Sequence, residues 1–502
     1  MSRGSILRNG IYNSIGSAIQ MVLSILIIPV LIRGIGLDEF GLWTLVASVF
    51  GLVELAEIGL SVSTTYFVSR DLSDAEHSSI AQTLTVTVGV LLALATLAAG
   101  LLWAGAHVIV GMMSALHVSQ RLIAAQALRI SAVIVWADLL RRVLVGIEQA
   151  FQRYDLINLL VTGQAILHSL GLLLIAALGG TVLSLVAWQA ALSLGALLAH
   201  IGIVRWLLRD YHFRPVWSWS RVREIVRYSG LTWLTSLSSA LFSKADRLVI
   251  GASLGTEVLA VYGAITSVTA KINHLSAVPV QPLLPALSAL VKQRSRDSGE
   301  LQGHVQQAIH INAVAALGLS AMLFVFAPWV MQILLSDAAT AEAILAFRLA
   351  VVIYGAYSLN AVGYYVLLGV NAVLLLMGIQ MAGAVLALAG ISLAARSWGL
   401  VGAIAGNAGY LLTWWLLVSG MKRLDLRFAA WGRWFAFPAM WYAVAIGVMA
   451  IFSPQTLVWA ILWGGLMGTV LVGWFIKNER DLIEFLRRSL WSRKKHHPGV
   501  QL

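Results

Sequence analysis

Stretches of about twenty mostly apolar residues, the length of a membrane-crossing helix, recur along this 502-residue chain until little sequence is left between them. Fourteen can be drawn, at about 11–32, 40–65, 80–103, 123–146, 157–178, 181–204, 228–250, 257–280, 308–335, 344–368, 373–395, 399–420, 434–452 and 457–476. A chain that crosses hydrocarbon this often must satisfy its backbone within each segment, which selects helices. Composition agrees: 59% of residues are hydrophobic and 11% charged, against about 25% charged in soluble domains. The expected fold is an all-α polytopic membrane protein.

The few charges are unevenly placed. Thirty-four Lys and Arg face 22 Asp and Glu, a net +12. With the N-terminus inside, 26 cationic residues fall in inner segments, 3 in outer segments and 5 within spans. That excess predicts both termini in the cytoplasm and explains the positive charge without nucleic acid. Cysteine is absent, which excludes disulfides, thiolate metal sites and cysteine nucleophiles. The first apolar run lacks a small-residue cleavage site and reads as a retained helix. The segment Trp217 to Arg227 reads as an interfacial helix anchored by tryptophan. Beyond Lys477, Leu482, Phe485, Leu486 and Leu490 share a face before Arg493, Lys494 and Lys495, reading as a basic tail near anionic lipid. Asp71 to Asp74 reads as a cytoplasmic loop, and Arg141 and Arg142 as the inner end of the fourth span.

The sequence also repeats. At an offset of 219, Gly36 corresponds to Gly255, Asp38 to Glu257, Gly41 to Ala260, Trp43 to Tyr262 and Ser48 to Ser267. The same offset relates Arg129 to Arg348 and Gly180 to Gly399. Two pseudo-symmetric six-helix bundles follow, with two accessory C-terminal helices outside the repeat. Six being even, both halves share one orientation, a transporter architecture with the substrate path between halves. The expected division is 1–205 and 228–420 for the two bundles, 206–227 for a cytoplasmic linker, 434–476 for the accessory helices and 477–502 for the tail.

An ionisable side chain at mid-span costs about 2.5–3.5 kcal/mol, so several together imply partners or an aqueous cavity. The candidates are Glu54 and Glu57, which share a face, Asp138 on the fourth span, Lys244, Asp246 and Arg247 on the seventh, and Lys271 on the eighth. Arg129 and Arg348 open their spans near the outer side and either line the cavity or snorkel to headgroups. Glu54 and Glu57 either serve function or pair structurally with Lys271. Fixed cations would hold phosphate or pyrophosphate, and Glu54, Glu57, Asp138 or Asp246 could exchange a proton in a coupled cycle. No P-loop or HExxH motif is present, so use of ATP by this chain is not expected.

The run from Pro29 through Arg33, Gly36, Gly41 and Trp43 to Glu57 and Leu60 resembles the opening of polysaccharide-type flippases of the multidrug/oligosaccharidyl-lipid/polysaccharide (MOP) superfamily. Asp246 through Gly251, Gly255 and Tyr262 looks like that superfamily's seventh-to-eighth helix segment, and Trp398, Gly399 and Gly402 like the start of its twelfth helix. The resemblance spans about residues 1–476. It implies two bundles around a central cavity and movement of a polyprenyl-pyrophosphate-linked oligosaccharide to the outer leaflet, for polysaccharide or O-antigen synthesis in a bacterial cytoplasmic membrane. Lys244, Arg247 and Lys271 match its cationic cavity residues in kind. Only Arg33 stands in the first two spans, where the lipid II branch has more arginines, which argues against lipid II. The expected partners are membrane lipids and the lipid-linked oligosaccharide, with glycan polymerase or export machinery as candidates. No cofactor is expected beyond coupling to a proton or sodium gradient. The rival readings are a multidrug or cation antiporter of the same superfamily, which would want an acidic, aromatic cavity, and a membrane-embedded glycan polymerase or glycosyltransferase, which would want larger outer loops.

Overall fold

A computed structural model describes residues 25–57, 59–73, 77–209, 215–281, 298–451 and 456–480. The start of the first span, the loop carrying Lys292, Arg294 and Arg296, Asp74 and the tail from 481 onward lie outside the described residues. Among those described, the regular structure is helical and contains no strand. In chain order the helices are α1 (Ile25–Ile35), α2 (Leu37–Val53), α3 (Leu60–Ser73), α4 (His77–Gly111), α5 (Val118–Ala150), α6 (Tyr154–Ala177), α7 (Val182–Leu207), α8 (Trp219–Leu254) and α9 (Thr256–Ala277). They continue with α10 (Ser298–Val325), α11 (Ala327–Leu335), α12 (Ala341–Tyr357), α13 (Ala361–Gly369), α14 (Val373–Gly406), α15 (Trp414–Arg423), α16 (Phe428–Ile451) and α17 (Leu457–Asn478).

Eight described segments are long and apolar enough to cross a membrane. The expected spans at 40–65, 123–146, 228–250 and 257–280 fall outside that set, being broken or charged. Hydroxyls inside the apolar helices are satisfied by the carbonyl four residues back, as Thr44 does to Phe40 and Ser48 to Thr44. The repeat leaves a backbone signature: Gly36, before α2, and Gly255, before α9, hold φ of 90° and 88°. Only glycine takes this region without strain. The turn at Gly179 and the break inside α14 at Trp398 and Gly399 likewise rest on glycines with positive φ.

The chain divides into two compact units. One comprises Met1–Ile265, Gln332–Thr340 and Ala384–Gly406. Its hub is α5, which packs against α2, α3, α4, α6 and α7. The other comprises Thr266–Met331, Ala341–Gly383 and Asn407–Leu502, and there α10 packs against α12, α13, α16 and α17.

Two expectations change in the first unit. The interfacial segment is not a separate helix: α8 runs unbroken for 36 residues from Trp219, about 54 Å against a hydrocarbon core of about 30 Å. Ser218 caps it by accepting from the Arg221 backbone N–H. Its start is held by an ion network centred on the buried Arg221 and Asp71. Arg221 donates to both oxygens of Asp71 at 3.1 Å, and Asp71 also accepts from the Thr83 hydroxyl at 2.6 Å. Glu224 accepts from Arg221 at 2.9 Å and Arg70 at 3.0 Å. Burial would push the Glu224 carboxyl up, but these two arginine bonds outweigh it and hold it below its ordinary value. Asp71 therefore belongs to a helix, not a loop, because its carboxylate is the buried counter-charge of Arg221.

Candidate functional site

The second expected span is not one helix. α2 ends at Val53, residues Glu54–Glu57 form a single 3₁₀ turn, Gly59 takes φ 68°, and α3 starts at Leu60. A 3₁₀ turn eclipses residues three apart, so Glu54 and Glu57 project together. The Glu57 carboxylate also caps α3, accepting from the Ser61 backbone N–H at 3.0 Å. A break at this depth, about 26 Å along α2 from Gly36, is the kind of feature that builds ion sites inside membrane proteins.

The two carboxylates meet α5. Arg142 donates from Nη2 to Glu54 at 2.8 Å and from Nη1 to Glu57 at 3.1 Å. The adjacent Arg141 bonds Asp138, one turn earlier on α5, at 3.2 Å. From α8, Lys244 donates to the Gly51 carbonyl at 3.2 Å, at the last turn of α2 before the break. Gly51 leaves room for that approach, since a Cβ there would push the flexible end of the Lys244 side chain aside. Glu54 and Glu57 are 15% and 10% exposed at the side chain while Arg142 is 41% exposed. The acids are shielded while their arginine is partly exposed. Two points differ from expectation: the helix does not stop at Arg142, since α5 continues to Ala150, and the partner of Glu54 and Glu57 is Arg142, not Lys271.

The other candidates stand apart from this network. Asp246 is buried and accepts from the Tyr262 hydroxyl at 2.7 Å, tying α8 to α9, while its second oxygen takes the Arg247 backbone N–H. Arg129 lies farther up α5, its guanidinium 5.2 Å from the Trp103 ring centroid. In the second unit Arg348 repeats this arrangement on Phe324, also at 5.2 Å, and Lys271 is half-buried on α9. Both arginines stack on an aromatic ring with Nε buried and unbonded among the described residues, so the repeat extends to a side-chain motif.

Residues 6–291 match the family described as polysaccharide biosynthesis protein. The chain belongs to that family. A search of curated protein sequences finds no match. Among solved structures, the fold is similar to the lipid II flippase MurJ in an inward closed conformation, with a TM-score of 0.75 at 12% identity over 94% of this chain and 99% of that one. It is also similar to an inward-facing multidrug resistance MATE family transporter of the MOP superfamily, with a TM-score of 0.68 at 17% identity over 81% and 94%. A MOP superfamily transporter from Pyrococcus furiosus, described as having a binding pocket of reversed polarity, scores 0.56 at 17% identity over 84% and 95%. The polysaccharide biosynthesis family and the MOP fold thus coincide in this chain, as its motifs led one to expect.

Two buried pairs in this family member escaped the sequence reading. His200 on α7 bonds Glu148 on α5 at 2.7 Å, the two side chains being 1% and 0% exposed. In the second unit His310 bonds Glu479 at 2.6 Å, with Gln307 as a further donor and Trp474 edge-on to the imidazole. Their partners are 52 and 169 residues apart, so no local spacing announces them.

Proposed function

We propose that this chain is a flippase that moves a polyprenyl-pyrophosphate-linked oligosaccharide from the cytoplasmic to the outer leaflet by alternating access. The observation that carries the reading is the broken α2–α3 span with a part-exposed Arg142 on two shielded carboxylates and Lys244 beside it, in a chain of the polysaccharide biosynthesis family. A part-exposed guanidinium that keeps N–H groups beyond the two serving Glu54 and Glu57 suits a phosphate group. The polyprenyl tail stays in lipid, because burying it in protein gains nothing over the bilayer. Arg247, Lys271, Arg129 and Arg348 are the further cationic candidates, and Glu54, Glu57, Asp138 and Asp246 the candidates for ion coupling. The halves at 1–205 and 228–420 would rock about the substrate path, both termini facing the cytoplasm of a bacterial inner membrane.

The same carboxylates favour a second reading, export of organic cations, which one experiment separates from the first. Polyprenyl-linked oligosaccharides are extracted from a deletion strain and its complemented parent, and their accessibility to an impermeant probe is measured in each leaflet. Intact units accumulating in the cytoplasmic leaflet only without the chain support flipping, and Arg142→Ala should then fail to complement. Units crossing equally well in the deletion strain would sink the flippase reading and turn attention to drug efflux.

A further inference from the structure

Arg129 and Arg348 stand at repeat-related positions, and each is left without a counter-charge. The Arg129 guanidinium lies over Trp103 of α4 and that of Arg348 over Phe324 of α10, both 5.2 Å from the ring centroid. In each, Nε is buried and unbonded among the described residues, whereas the Nη nitrogens are not buried. Neither guanidinium has an ion pair or hydrogen bond among those residues. The helices that hold them offer no acid at the same level. α4 has none, α5 has none before Asp138, and α10 has only Glu300 near its start. α12 has only Glu342, about 120° round the helix from Arg348.

Their surroundings define the anion that would complete them. Thirteen residues at 3.6 per turn put Arg129 about 140° round α5 from Arg142, so it points away from the charges at the α2–α3 break. Leu122, two turns outward on the face of Arg129, is 59% exposed. Leu345, one turn outward on the face of Arg348, is 57% exposed, and the Trp103 ring 56%. Large apolar side chains left this open on membrane-spanning helices face lipid. α5 is about 50 Å long against a hydrocarbon core of about 30 Å, which leaves about 10 Å beyond the core at each end. Arg129, about 16 Å along from Val118, then stands about 6 Å below the headgroups, within reach of a side chain that snorkels. Arg348 is about 10 Å from the start of α12. Snorkelling alone needs no aromatic partner. Here the ring holds the plane of the guanidinium, and the open Nη edge can take two phosphate oxygens through parallel bonds.

We infer that Arg129 with Trp103, and Arg348 with Phe324, are two repeat-related sites for the phosphate of an anionic glycerophospholipid. They lie in the leaflet where α5 and α12 begin, the outer one in the orientation proposed above. The acyl chains rest on the exposed apolar faces beside them, and the lipid supplies the negative charge that the chain does not. Among the cationic candidates, these two are thereby assigned to bulk lipid and removed from the substrate path. The inference does not depend on the flippase reading.

The test uses the full purified chain, with phosphatidylglycerol and phosphatidylcholine added in equal amounts as probes. Native mass spectrometry counts the lipids that stay bound. The native chain should retain two molecules of phosphatidylglycerol, each about fivefold over phosphatidylcholine, the equivalent of about 1 kcal/mol per arginine at an anionic surface. Arg129→Ala and Arg348→Ala should each retain one, and the double variant should lose the preference. Trp103→Leu keeps the charge but frees its plane, and should weaken retention at the first site alone. Equal retention of the two lipids by the native chain, or two preferred phosphatidylglycerols on the folded double variant, overturns the inference. So does a double variant that keeps its phosphatidylglycerol but no longer binds farnesyl pyrophosphate, which would return both arginines to the substrate path. Should the alanine variants fail to fold, the headgroup preference and count of the native chain, with Trp103→Leu, decide it.

Discussion

At the scale of single residues, what matters is whether a charge can be removed without stranding another. Arg142 is part open, and its loss leaves two carboxylates that protonation can neutralise. Arg142→Ala should cost about 1–3 kcal/mol of stability, less than the 3–5 of a fully buried broken pair, and should abolish flipping. Arg142→Lys keeps the charge but not the fork that reaches Glu54 and Glu57 together, so we expect transport at least tenfold below native in the leaflet-accessibility assay. Near-native transport by Arg142→Lys would show that a point charge suffices. The Glu148–His200 pair behaves differently because both members are sealed in. His200→Ala strands Glu148, whose Oε2 already lacks a donor among the described residues, and should destabilise by about 3–5 kcal/mol. His200→Gln restores a donor and should recover part of that. Thermal unfolding of the purified variants measures both, and equal losses for Ala and Gln would argue against the bond's importance.

At the scale of elements, close approach and ion networks fix how the helices of the first unit meet. The carbonyl of Thr256, opening α9, lies where a Cβ on Gly41 of α2 would stand, and Asp38 of α2 accepts from the Thr256 hydroxyl at 2.7 Å. Gly41→Ala therefore forces backbone apart and should lower stability by about 1–3 kcal/mol, the usual range for overpacking. An unchanged unfolding temperature would mean that this contact opens freely. The start of α8 is anchored to α3 by Arg221 on Asp71 and by Glu224 on Arg70. Because Glu224 is held below its ordinary value by Arg70 and Arg221 after burial is overcome, it stays charged and stabilising above the unfolded carboxylate range. Its contribution is lost as pH falls through the depressed folded value. Protease cleavage near Trp217 should accelerate only on acidification below about pH 4, and Arg221→Ala should show it at neutral pH. These elements also mark where the sequence was legible. Eight spans are visible because length and hydropathy alone define them. The break at Glu54–Glu57 was not, since two acids three apart fit an α-helix as well as a 3₁₀ turn. Arg141 and Arg142 looked like a span's end because paired arginines usually meet the interface. The structure extends α5 two turns farther, and that places Arg142 against Glu54.

At the scale of the whole molecule, what needs settling is which way the chain faces. A pyrophosphate-linked substrate made at the cytoplasmic leaflet must find Arg142 from that side, and this follows only if the Gly36 and Gly255 turns face outward. The case for it is the distribution of 26 of 34 cations on the opposite side, a bias that acts during insertion and is not visible in any contact of the folded chain. The absence of cysteine makes this directly measurable, because a single introduced thiol gives no background. Ser253, exposed beside the Gly255 turn, and Lys422, exposed at the end of α15, lie on opposite sides in the orientation proposed. In intact cells Ser253→Cys should react with a membrane-impermeant maleimide and Lys422→Cys should not, becoming reactive once the membrane is permeabilised. The converse pattern would place Arg142 toward the outer leaflet. The chain would then have to load its headgroup from outside, and export would lose the arrangement of charges that recommends it.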